Sequence, residues 1–129
     1  MSKGIGIALF VLVILVAAGC GTKLVYNVEE APIISSVPDI SKTDIAKAIK
    51  RAGISLGWQM KDKAEGEIIG TLLLRKHMAK VSIKYTTEYY SIKYLDSKEL
   101  RYDGTNIHNN YNGWIQNLER NINLMLGIL

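Results

Sequence analysis

The chain has 129 residues, with sixteen Lys and Arg against twelve Asp and Glu for a formal charge of +4. That is room for one domain, and a charge too small for a nucleic-acid-binding protein, which needs a concentrated stripe of Lys and Arg. A single cysteine excludes an internal disulfide and any metal site built on several thiolates.

Met1-Ser2-Lys3 sets one positive charge ahead of an uncharged apolar run, Ile5 to Val16, and Ala17-Ala18-Gly19 narrows the side chains just before Cys20. A charged start, an apolar middle and a small-residue end make up the layout of a secretory signal. The apolar stretch falls short of the roughly 20 residues that cross hydrocarbon. Residues 1–19 are therefore expected to be a signal peptide rather than a permanent span, and their removal leaves 110 residues with a charge of +3.

Ala17-Ala18-Gly19-Cys20 resembles the lipobox of bacterial lipoproteins, with Ala17 where Leu is usual. The resemblance implies a lipidation site at Cys20, with a diacylglycerol in thioether linkage and, in Gram-negative cells, a third acyl chain on the amine. At about 0.8 kcal/mol per buried methylene, two or three chains hold a protein at a membrane essentially permanently. Gly21, not Asp, follows the cysteine, which by that family's sorting pattern implies the periplasmic side of the outer membrane. In a cell with one membrane the same anchor implies the cell membrane.

Gly21 to Glu30 has little periodicity, so residues 20–30 read as a lipidated tether, with at most a short strand at Val25–Val28. The remaining residues, 31–129, read as one α+β domain. Pro32 and Pro38 bracket Ile33–Val37, a first strand expected at a sheet edge. Ser41 with Asp44 makes a capping-box-like start. Ile45, Ala48, Ile49 and Ala52 then form one apolar helical stripe, and Gly53 is the expected stop. Trp58–Lys61 alternates like a short strand, Lys63–Gly66 reads as a turn, and Ile68–Leu74 as the next strand.

The clearest pattern follows. Val81, Ile83 and Tyr85 alternate with Ser82 and Lys84, and Tyr90, Ile92 and Tyr94 alternate with Ser91 and Lys93. Folding between Thr87 and Glu88 pairs Tyr85 with Tyr90, Ile83 with Ile92 and Val81 with Tyr94, so the apolar residues share one face. A last helix is carried by Tyr111, Trp114, Ile115, Leu118, Ile122, Met125 and Leu126, with Asn109 or Asn110 as its cap and Gly127 at its end. Two amphipathic helices and three to five strands with one apolar face predict a two-layer sandwich, an antiparallel sheet with both helices on one side. Ile107-His108, Tyr111-Asn112, Trp114-Ile115 and Asn117-Leu118 resemble the C-terminal signature of small, uncharacterised proteobacterial lipoproteins, a resemblance that carries no activity with it.

The residues point to binding rather than catalysis. His77 and His108, the two histidines, stand in no HExxH or Cys/His spacing and read as a strand-end and a helix-start histidine, not as metal ligands. Asp96-Ser97 lacks a Gly-x-Ser-x-Gly frame, and there is no glycine-rich phosphate loop. No cofactor is implied. Ser82, Lys84, Ser91 and Lys93 share the polar sheet face, with Arg75, Lys76, Lys80 and Lys98 near it. Residues 75–98 hold six basic side chains against two acidic ones. This candidate binding face suits an envelope protein partner, while the acyl chains on Cys20 hold the membrane. The alternative is a small-ligand or glycan-binding lipoprotein with a pocket between sheet and helices.

Overall fold

In the computed structural model, which describes residues 21–129, the alternation of the middle of the chain becomes an antiparallel meander. Residues 1–20, and with them the expected leader and Cys20, lie outside the described residues. The elements run β1 (Thr22–Leu24), β2 (Val28–Pro32), α1 (Lys42–Ser55), β3 (Gln59–Ala64), β4 (Glu67–Leu74), β5 (His77–Tyr85), β6 (Tyr89–Lys98), β7 (Asn106–His108) and α2 (Asn109–Gly127). The five-stranded sheet has the order β2-β6-β5-β4-β3, and β1 pairs with β7 in a separate two-stranded ribbon. Both helices pack together on one face of the large sheet, the expected α+β arrangement.

The β5–β6 hairpin has the register that its alternation predicts: Tyr85 opposite Tyr90, Ile83 opposite Ile92, Val81 opposite Tyr94. Its turn is fastened by Thr86, whose Oγ1 accepts from the N–H groups of Glu88 and Tyr89, each at 3.0 Å. Beyond Val81 the pairing slips, with Lys80 opposite Asp96, so Leu95 is an extra residue in a β-bulge. The core is continuous from sheet to helices. Ile68, Val81, Ile83 and Ile92 from the strands meet Ile45, Ile49, Tyr111, Ile115, Leu118 and Ile122 from the helices, all 0% exposed. At about 1.5–3 kcal/mol for each large apolar side chain taken out of water, this layer is what holds the helices to the sheet.

Several sequence expectations are corrected. The part of the expected tether, residues 20–30, that the structure describes holds β1 and the start of β2, and Val28 is buried in the core. The edge strand is Val28–Pro32; Ile33–Val37 is not a strand, and a bulge between Val28 and Ala31 breaks the alternation that would have marked the true one. The first helix passes through Gly53 to Ser55. Its termination is a Schellman arrangement, in which Trp58 N–H bonds Gly53 O at 2.9 Å and Gly57 N–H bonds Ile54 O at 3.0 Å, with Gly57 at φ +90°. Gly53 is required for a different reason: a Cβ there would lie 2.4 Å from Met60 Sδ. The second helix is capped by His108, not Asn109 or Asn110; the His108 Nδ1 accepts from Asn110 N–H at 3.1 Å.

Candidate functional site: the open face of the sheet

The strand period that buries one side of the sheet leaves the other uncovered, because both helices lie on the apolar side. Ser82, Lys84, Ser91 and Lys93 are brought together as expected: Ser82 is opposite Lys93 and Lys84 opposite Ser91, a two-by-two block over the middle strands. The block sits in a larger array. Glu67 is opposite Lys84, Ile69 opposite Ser82, Thr71 opposite Lys80 and Leu73 opposite Met78. On the far side Lys61 is opposite Ile69 and Gln59 opposite Thr71. Lys80 faces Asp96 and Met78 faces Lys98 across β5 and β6.

Six lysines (Lys61, Lys63, Lys80, Lys84, Lys93 and Lys98) thus share this face with three carboxylates, those of Glu29, Glu67 and Asp96. Glu67 is engaged from two sides: Ser82 Oγ donates to its Oε2 at 2.8 Å, and Lys63 Nζ lies 3.8 Å from its Oε1. Lys93 Nζ lies 3.9 Å from Glu29 Oε1. Lys61, Lys80, Lys84 and Lys98 form no ion pair among the described residues. The result is an open, net-positive surface with polar hydroxyls between the charges, suited to meeting carboxylates or phosphates. Solvated lysines also keep an open sheet from stacking on another copy.

Lys61 lies in the expected strand Trp58–Lys61, but its place on this face follows from the β3–β4 pairing opposite Ile69; Lys63 escaped the sequence reading because that strand runs on to Ala64 through a bulge after Asp62. Glu29 escaped because its strand was placed too late in the chain. Arg75 and Lys76 stand apart from the block, in the β4–β5 turn, with Arg75 at φ +56°. Tyr85 and Tyr90 are on the helix side and buried, and Tyr94 is half-buried there, stacked on Tyr102 at 4.0 Å between ring centroids.

The two histidines, far apart in sequence, come within 6.5 Å of each other by ring centroid. Hydrogen bonds give their Nδ1 atoms opposite roles, a donor in one and an acceptor in the other. His77 Nδ1 lies 2.8 Å from the carbonyl of Glu99, which only accepts, so that nitrogen carries the proton. In His108 the Nδ1 accepts from the α2 backbone, so its proton sits on Nε2. Among the described residues no three His, Cys, Asp or Glu side chains are grouped to hold a metal ion.

The core between sheet and helices is packed, and open recesses lie at its margins; one of about 400 Å³ runs between α1 and β3, lined by Lys42, Lys47, Lys50, Asp62 and Glu65 among others. Another of about 370 Å³, lined by Glu30, Lys42, Glu65, Lys84 and Tyr89 among others, opens at the end of the sheet opposite the β4–β5 turn. No helix among the described residues is long and apolar enough to cross a membrane. Comparison with known protein families, curated proteins and solved structures found no match to this chain.

Proposed function

We propose that this protein is a lipid-anchored module of the cell envelope, without enzymatic activity, that presents its open sheet face to an acidic protein partner from the periplasmic side of the outer membrane. The observation that carries the reading is the one-sided covering of the sheet. Both helices occupy the apolar face, and the other face offers six lysines against three carboxylates, four of those lysines with no acid partner in ion-pair range. Like charges held on neighbouring strands repel one another, so a surface of carboxylates placed across them gains on contact what the isolated domain lacks. The lipobox-like Ala17-Ala18-Gly19-Cys20 supports attachment, because acyl chains on Cys20 localise the domain without any membrane-spanning element of its own.

Two measurements test the two halves. Replacing Cys20→Ser is expected to abolish palmitate incorporation and release the protein from the membrane fraction; a variant that stays membrane-bound speaks against the acyl anchor. A photo-crosslinker at position 82 or 91 of the full chain is expected to trap one defined protein in cells. That adduct should be lost in Lys84→Glu/Lys93→Glu and retained in Lys47→Glu on the helix side. Recovery of glycan or lipid alone from those positions favours the small-ligand alternative.

A further inference from the structure

We propose that the end of the domain bearing the β4–β5 turn lies against the membrane, with Leu73 and Leu74 entering the interfacial layer and Arg75 and Lys76 meeting the phosphates of anionic phospholipids. This rests on the reading of Cys20 as the attachment residue, and its geometry follows from the absence of a free tether. Gly21 is already fastened, its carbonyl accepting the Asn109 N–H, and Thr22 is paired with His108 in the β1–β7 ribbon. One residue of extended chain reaches no more than about 3.6 Å. An acylated Cys20 therefore holds the surface around Gly21 at the headgroup region, which is roughly 5–7 Å thick on each side of the bilayer.

The β4–β5 turn is beside that surface. His108, the strand partner of Thr22, has its ring 6.5 Å from that of His77, the first residue after the turn. His77 is in turn 6.5 Å from the half-buried indole of Trp114. At the end of β4 stand two exposed leucines on opposite faces of the sheet, Leu73 at 59% and Leu74 at 47%, followed at once by Arg75 and Lys76 in the turn. Apolar side chains at a tip, cations beside them and an indole nearby form the composition that a bilayer interface accommodates. The charge suits an anionic surface: Arg75 and Lys76 form the turn, and Lys98 is opposite Met78 on the neighbouring strand, with Glu99 next to it in the chain. Arg75 sits at φ +56°, where glycine or asparagine costs less, so a long cation is held at the tip against backbone preference. The opposite end of β5 carries the Thr86–Glu88 turn, with exposed Tyr89 and Ile34 beside it, so exposed apolar side chains alone do not separate the two ends; what the β4–β5 end alone has is its tie through His77 and His108 to the strand that begins at Thr22.

The test uses the full-length protein, processed in cells, purified in detergent and reconstituted into phosphatidylethanolamine–phosphatidylglycerol vesicles with brominated acyl chains. Tryptophan is introduced as Leu73→Trp at the turn or Thr87→Trp at the far end, each measured against the unaltered chain. Bromine quenching is expected to be several-fold stronger for Leu73→Trp, and to fall toward the Thr87→Trp value in phosphatidylcholine vesicles or on adding Arg75→Glu/Lys76→Glu. Equal quenching at the two positions in a chain that cofloats with vesicles overturns the contact and leaves the anchor standing. Quenching at Leu73→Trp indifferent to lipid charge and to the double reversal overturns the phosphate pairing. A chain that does not cofloat at all overturns both the anchor and the contact.

Discussion

Gly53 and Gly113 are both helical glycines, and their surroundings give them opposite roles. Gly53 lies where α1 comes down on β3, and an added Cβ would meet Met60 Sδ at 2.4 Å and its Cγ at 2.7 Å. Gly113, in the second helix, has no atom within 4 Å of the same position. Replacing a helical glycine by alanine gains up to about 1 kcal/mol of propensity, whereas forcing volume into a packed contact costs about 1–3 kcal/mol. Gly113→Ala is therefore expected to raise the urea midpoint and Gly53→Ala to lower it, both at unchanged m-value. Equal gains from the two would mean that Met60 yields freely. The sequence marks Gly53 as special without saying why, because a stop signal and a close approach use the same residue.

Among the elements, those whose residues answer to their near neighbours are the ones the sequence describes well. The β5–β6 hairpin register follows from strict alternation on both arms, and the start of α1 from Ser41, whose Oγ accepts the Asp44 N–H at 3.1 Å. Ser41→Ala is expected to cost about 1 kcal/mol, read as a fall in denaturation midpoint, and Ser41→Asp to restore most of it. Elements that depend on distant partners are less legible. Val25 to Val28 shows no clear period because the segment is organised from outside. Tyr26 N–H donates to Asn112 Oδ1 at 2.9 Å, Asn112 Nδ2 donates to Leu24 O at 2.8 Å, and Asn27 Oδ1 accepts from Tyr94 N–H at 3.0 Å. Asn112, in the first turn of α2, is thus a clamp on the first strands.

For the molecule as a whole, four tyrosines tie its layers together and share one electrostatic consequence. Tyr26 donates to Glu119 Oε1 at 2.7 Å, and that hydrogen bond to a carboxylate, then burial, raises its phenol above the ordinary value. Burial is the main cause of the raised values of Tyr90, Tyr94 and Tyr111; the hydroxyl of Tyr111 has no hydrogen-bond partner. A phenol raised in the folded state stabilises it fully below the unfolded pKa of about 10 and ceases to do so as pH rises through the folded value. Stability is thus expected to be flat through neutral pH and to collapse above pH about 10, with the four phenols ionising together as the fold is lost. Phenolate absorbance and circular dichroism followed on one alkaline titration check this. All seven tyrosines ionising before any loss of structure would contradict it.

The sequence by itself determined the two amphipathic helices, the central hairpin with its register, and the clustering of Ser82, Lys84, Ser91 and Lys93 on one face. All of these are repeats or spacings resolved within a few residues, where chain geometry alone assigns the face. Only the tertiary structure decided that the expected tether holds β1 and the start of β2, that Lys61 and Lys63 extend the basic surface, and that the β4–β5 turn stands beside Gly21. Those depend on pairings between segments up to about ninety residues apart, as in the contact of Tyr26 with Glu119. A bulge or a distant hydrogen-bond partner removes the local period that would have announced them.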